Sequence, residues 1–492
     1  MYRLVVALLS LALLTACAGK QVATSPVTPP VKDGVQAKVA LSAMLTPWGG
    51  PYGGVPPFDV IDDARFEADF STAINLLLAE VKLISANAEP ATFDNTIVAL
   101  ERSGKPLQRI STLFFTMASS RNTPTIQKLT GAIRPKLSTT YDQLYFDARL
   151  FARIARVHAG RTKGLSAEQR RLVEKVFDRF VRRGARLNEA KKAQLGAINK
   201  RLATLFTNFA NRVQADEDTW VLLGDKDLTG LSPALVAVYK AAAVKRKLSG
   251  YAVVNTRSAV VPFLTFSAQR SLREKVWRAF TNRGDNAGKN DTKPLITEIV
   301  KLRARRATLL GYASHAHWRM STSMAKDPAK AQALMMRVWP AAVARVKEEV
   351  RDMGKIARKM GVREAIKPWD YRFYMEKVRK ARYALDQREF KNYFVLENMI
   401  KASYYMAARL YGYAFEEITG KVKGFHPDVR VYRVTNKADG SHVGLLYRDD
   451  FARQYKRSGA WQATYRDQQK VDGQIDAIVS NNNNFAKSAP GK

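Results

Sequence analysis

Most of this chain repeats its apolar residues at intervals of three and four, the spacing that gathers them on one face of an α-helix. Ser166-Ala167-Glu168-Gln169 is a capping box: the serine can accept from the third helical amide while the glutamine reaches back to the serine amide. Behind it Val173, Val176, Phe177, Phe180 and Val181 mark one buried helix face, and Leu195, Ile198, Leu202, Leu205, Phe206 and Phe209 mark the next. The same period predicts helices over Leu272–Phe280, Leu295–Leu310, Ala329–Lys359, Tyr371–Ala384 and Met399–Leu410. Near the end the period changes. Val429–Thr435 and Val443–Tyr447 are short β-branched runs joined across Asp439-Gly440, a hairpin signal, and Ile475–Val479 predicts a further strand. Trp48–Pro57, with four glycines and three prolines, predicts an ordered loop. No fixed-period repeat is present, so a solenoid is excluded. The expectation is a mainly α protein with a small β-sheet near the C-terminus.

Composition supports a large core, with 46% hydrophobic residues among 492. The formal charge of +37 is uneven: residues 1–150 hold about 14 basic and 12 acidic side chains, and the rest hold about 67 and 32. Such an excess invites a nucleic-acid reading, but no recognition module accompanies it. The basic residues lie along helical stretches such as Lys301–Arg306 and Lys377–Arg382, with no zinc-finger spacing or arginine-glycine tract. No nucleic-acid partner is expected. The plain reading is a solvated cationic face; its functional version is attraction to anionic envelope surfaces or acidic peptides, weakened by salt.

The single cysteine excludes an internal disulfide and cysteine-rich metal sites. It follows Arg3, the apolar run Leu4–Leu14 and Leu14-Thr15-Ala16, a series that resembles a bacterial lipoprotein signal. Eleven residues, apolar but for Ser10, are too few for a bilayer core that takes about 20 in a helix. The resemblance implies a signal peptide at 1–16 and a lipidated Cys17 holding the protein to the membrane, with Ala18 favouring the outer membrane and the periplasmic side of the envelope. The rival is an ordinary secretory signal with a chance cysteine. Ala18–Ser42, polar and holding Pro26, Pro29 and Pro30, suits a flexible tether.

The most specific series is Leu446-Tyr-Arg-Asp-Asp-Phe-Ala-Arg-Gln-Tyr-Lys-Arg-Ser-Gly-Ala-Trp461, followed by Asp467-Gln468 and Asn484-Phe485-Ala486-Lys487. Upstream stand Pro56-Pro57-Phe58-Asp59, Phe93–Ile97, Leu100–Gly104, Leu150–Arg153, Asn282-Arg283-Gly284, Met324-Ala325-Lys326, Trp369-Asp370, Tyr374 and Glu376–Arg379. No one of these is specific, but their order and gaps resemble the zinc metallopeptidases of the thimet oligopeptidase and peptidyl-dipeptidase family, bacterial peptidyl-dipeptidase and oligopeptidase A above all. The resemblance implies a prolate, two-domain helical scaffold around a channel for short peptides. Its expected division is a lipidated cysteine and tether at 17–45, an N-terminal helical domain at 46–262 and a metallopeptidase domain at 263–492.

In that family zinc is held by two histidines of His-Glu-x-x-His and a later glutamate, and the motif glutamate is the general base. None of the five histidines here opens that motif. His158, His426 and His442 have the wrong followers, and His315 and His317 are at i and i+2, on different sides of a helix. The resemblance therefore implies a catalytic part that is incomplete, truncated before the zinc helix. No catalytic or metal-binding residue is assigned, no zinc is expected to bind, and the chain alone is expected to be inactive. No Gly-x-Ser-x-Gly elbow or phosphate-cradling loop replaces the missing chemistry. Family substrates run beside the active-site sheet, which makes Tyr447, Asp449, Arg453, Lys456, Gly459, Ala460 and Trp461 a candidate peptide-binding wall. The alternative is that they cap and brace the sheet. Three functional readings follow: a truncated peptidase, a split one completed by a separate C-terminal polypeptide, and a lipid-anchored non-catalytic binding protein.

Overall fold

The computed structural model describes residues 41–385, 389 and 393–487. Cys17, the expected signal and most of the expected tether lie outside the described residues. The chain begins with α1 (Phe66–Ala86), α2 (Ala99–Arg102), α3 (Lys105–Ser120), α4 (Pro124–Phe146), α5 (Ala148–Gly160), α6 (Ala167–Arg182) and α7 (Glu189–Glu217). A short ribbon of β1 (Trp220–Leu223) and β2 (Tyr251–Val254) brackets α8 (Pro233–Lys245). Then come α9 (Arg257–Phe266), α10 (Arg270–Thr281), α11 (Lys293–Leu309), α12 (His315–Met320), α13 (Pro328–Lys359), α14 (Tyr371–Tyr383) and α15 (Leu396–Tyr411). The five helices expected from Leu272 onward end within three residues of these bounds, and the Ser166 capping box forms in both directions, at 3.2 and 2.9 Å.

A five-stranded mixed sheet closes the described chain: β3 (Tyr413–Glu417), β4 (Val429–Asn436), β5 (His442–Phe451), β6 (Trp461–Arg466) and β7 (Ala477–Phe485), in the order β3-β4-β5-β7-β6. The hairpin across Asp439-Gly440 is β4 and β5, paired antiparallel. The strand expected at Ile475–Val479 is displaced and longer. β7 lies between parallel β5 and antiparallel β6, so ladders on both sides hold its four asparagines extended despite their poor strand propensity. Buried Asn482 turns its amide to the Trp461 carbonyl at 3.3 Å and the Ser480 hydroxyl at 3.0 Å. β1, β2, β3 and β6 carry no expected counterpart, being four to six residues long.

One face of the sheet packs on the N-terminal helices. Val431, Leu445, Tyr447, Tyr465 and Ile478 share a core with Phe58, Phe66, Phe70, Leu113 and Phe114. Met44 and Leu45 belong to it too, so the tether expected to reach residue 45 is packed by then; two isolated apolar residues carry no period to reveal this. A second core joins α8, α9 and α10. The expected domain boundary between 262 and 263 falls inside α9, whose Val260, Phe263 and Leu264 all sit in that core. Residues from Leu41 onward form one compact unit.

Candidate functional site

Strand β6 is one of the two edges of the sheet, β3 being the other, and among the described residues no strand pairs with its outer side. Beside it lies a cavity of about 580 Å³ walled by α3, α4, α6 and the ends of β6 and β7. Helix α3 is built for this place. Leu107, Ile110, Leu113, Phe114 and Met117 make its buried face, while Gln108, Ser111, Thr112, Thr116 and Ser119 turn toward the cavity. Tyr141, Tyr145 and Arg179 line it from the other helices, and Trp461, Ala463, Thr464 and Asn482 from the sheet. These helical residues were not singled out from sequence; the polar stripe at 108, 112, 116 and 119 was the signal that could have found them.

The residues of the candidate wall take three different places. Tyr447 is buried under the sheet, its ring edge-on to Phe58 at 5.9 Å and Tyr465 at 5.3 Å, and burial raises its hydroxyl pKa. Asp449 is buried as well, and its charge is met by two cations. Arg453 donates to both its oxygens, at 2.6 and 2.8 Å, and the Lys456 ammonium lies 3.0 Å from Oδ1. Lys456 has no exposed side-chain surface and also donates to the carbonyls of Asp449 and Phe451, at 2.9 and 2.8 Å. Burial pulls its pKa down, and Asp449 opposes that.

This ion-paired hub clamps the loop after β5 to the end of α3. Arg453 donates to the Ser120 carbonyl at 3.1 Å, the Arg457 amide to the Ser119 carbonyl at 2.9 Å, and the Asn122 amide to the Tyr455 carbonyl at 2.8 Å. Gly459 sits at φ +88°, the left-handed region that glycine enters without penalty, and accepts from the Asn484 side chain at 2.6 Å. Ala460 is exposed. Trp461 reaches the cavity beside β6, whereas Arg453 and Lys456 border a separate cavity of about 610 Å³ against α7 and α8. Asp449, Arg453 and Lys456 thus brace the end of the sheet, Tyr447 packs beneath it, and Trp461 faces the cavity.

The histidines do not assemble into a zinc site. His315 lies half-buried beside Trp318, and burial together with Arg303, Arg306 and Arg319 lowers its pKa, an environment hostile to a metal cation. His317 bonds the Ser314 hydroxyl at 2.8 Å, His426 accepts from the Asp428 amide, and His442 stacks on Tyr52. Among the described residues no group of three or more His, Cys, Asp or Glu is arranged to hold a metal.

The described residues thus form a helical body packed on one side of a small sheet, with an open sheet edge beside a cavity. The sequence model of peptidase family M3 matches residues 263–492. Dipeptidyl carboxypeptidase of Escherichia coli K12 is 32% identical over 442 residues, covering 89% of this chain and 64% of that protein. Its Salmonella typhimurium counterpart is 32% identical over 444 residues, 89% of this chain and 65% of its own length. Oligopeptidase A of Salmonella typhimurium is 27% identical over 435 residues, 87% and 64% respectively. The chain belongs to this family, the thimet oligopeptidase family of peptide-cleaving metallopeptidases. It spans a little under two thirds of the length of these relatives.

Proposed function

We propose that this chain is the peptide-receiving part of a family M3 peptidase that handles short peptides in the bacterial cell envelope. The observation that carries the reading is the open edge of β6 beside a cavity lined by Trp461 and the hydroxyl stripe of α3. An extended peptide adds to such an edge through backbone hydrogen bonds, with alternate side chains turned into the cavity. No His-Glu-x-x-His occurs in the 492 residues, so in this reading the chain alone binds peptide without cleaving it. The Leu14–Cys17 series supports a lipid anchor facing the periplasm, and the cationic half draws acidic peptides or anionic envelope surfaces.

The test is fluorescence anisotropy with a labelled nine-residue peptide pool, together with hydrolysis of a quenched peptide in added zinc. Thr112→Trp fills the cavity from α3 and is expected to weaken binding at least tenfold with an unchanged melting midpoint. Unaltered affinity in that variant would sink the cavity assignment, and chelator-sensitive cleavage by the chain alone would sink the non-catalytic part.

A second reading, a split peptidase completed by a separate polypeptide, is favoured by the face of α15, where Met399, Tyr405, Met406, Leu410 and Tyr411 are exposed. Restoration of peptide hydrolysis on adding a polypeptide that carries the zinc helix is its test.

A further inference from the structure

Helix α13 has apolar residues at 336, 339, 343, 346, 350, 353 and 357, alternating steps of three and four that make a heptad seam, with Leu334, Met335, Val338 and Ile356 beside it. The lower half of this seam is filled. Met353 and Ala357 are buried against Phe373 and Tyr374 of α14, and Tyr371 of that helix donates to Glu349 at 3.1 Å. Above Glu349 the seam continues and, among the described residues, stands largely uncovered: Met336, Trp339 and Val346 are 52%, 61% and 48% exposed, and Met335 beside them 61%, while Val343 is partly buried. Pro340 stands next to the seam, not in it. A seam whose lower half seats a helix is shaped to seat one in its upper half as well, because knobs at this spacing need the holes of another helix.

Charge narrows the occupant. Residues 328–347 contain Lys330, Arg337, Arg345 and Lys347 and no acidic residue, and among the described residues only Arg345 is met by acids, Glu348 and Glu349 of the next turn, at 3.1 and 3.3 Å. A second copy would set Lys330, Arg337 and Lys347 against the same three cations, whereas acidic flanks would complement them. We infer that the upper half of α13 is the docking face for an amphipathic helix of a separate polypeptide, with an apolar seam and acidic flanks. None of the residues lining the cavity beside β6 belongs to α13, so this docking and peptide binding at β6 stand or fall separately.

The probe is a labelled 21-residue helical peptide with leucines at the seam positions and glutamates on both flanks, titrated against the full chain. Saturable binding is expected, at least tenfold tighter than for the same peptide with lysine flanks, and weaker as salt rises. Trp339→Glu and Met336→Glu change exposed side chains, so they should retain the native circular dichroism while losing tenfold or more in affinity. Equal binding of the two peptides, or none, would overturn the inference. So would a concentration-dependent dimer that Trp339→Glu abolishes, which would make the occupant a second copy. Binding to vesicles of three parts phosphatidylcholine to one part phosphatidylglycerol, lost in the same variant, would instead assign the face to a lipid surface.

Discussion

Helices α3 and α13 are written in the same apolar language but end in opposite circumstances. On α3, Leu107, Ile110, Leu113, Phe114 and Met117 are all shut under the sheet, and the hub at Asp449 pins the adjoining loop to the helix end. On upper α13 an equally regular set stands in solvent. Periodicity reports which side of a helix is apolar; what covers that side is decided by chain far away in sequence. The largest test of the covered region removes its charge. Asp449→Ala leaves Arg453 and Lys456 without their carboxylate, and a loss of about 3–5 kcal/mol is expected in urea unfolding. Adding Lys456→Met should recover part of that loss, since it removes the buried cation; a double variant no more stable than the single one would mean that the carboxylate acts mainly through Arg453.

Next comes the apolar side of the same seam. Leu113→Ala, fully buried between α1 and the sheet, should cost about 2–5 kcal/mol, the range for deleting a core leucine that leaves a cavity. A change below about 1 kcal/mol by calorimetry would show that the two halves are joined less tightly than their common core implies.

The helices were legible because each presents several turns of one period, and the β4–β5 hairpin because Asp439-Gly440 sits between two β-branched runs. β6 was not, and of β7 only the start was, overlapping the strand expected at Ile475–Val479, since an Asn-Asn-Asn-Asn run becomes a strand only when neighbours hold it on both sides. The tail motif named the family correctly yet left the duty of its residues open. Asp449, Arg453 and Lys456 work as a brace because the end of α3, more than 300 residues earlier in the chain, supplies the Ser120 carbonyl that Arg453 grips and the Ser119 carbonyl that the Arg457 amide grips. The cavity face of α3 was written as a polar stripe, but a polar stripe reads as solvated surface until a sheet edge is placed across from it.

Buried carboxylates divide in the same way as buried helix faces. Asp449 is met by two cations, whereas Asp142 on α4 receives one hydrogen bond from Asn199 at 2.8 Å and keeps Oδ2 without a partner. Burial pushes the Asp142 carboxyl up to about 6, from an ordinary 3.8. The native state therefore holds this proton more tightly than the unfolded chain does, so its contribution to stability falls as pH rises through that window, and the full cost stands above about pH 6. Asp142→Asn should accordingly stabilise the protein by about 2 kcal/mol at pH 7.5 and by much less at pH 4.5. Destabilisation at pH 7.5 would show that Arg183 and Arg306, which favour the charged form, outweigh the burial.

The smallest expected effect lies at the open end of the comparison. Trp339→Ala on α13 should change the stability of the chain by less than about 0.5 kcal/mol, because the indole already meets water in the folded state and its removal opens no cavity. A loss above about 2 kcal/mol would mean that the face is covered in solution and that α3 and α13 do not differ. The same substitution should become costly once a helix sits on the seam: with the glutamate-flanked peptide at a hundred times its dissociation constant, the parent chain gains about 2.7 kcal/mol by mass action, and the variant gains little of it. The gap between parent and variant would then open only in the presence of the peptide, which separates a face that awaits a partner from one that is merely tolerant of change.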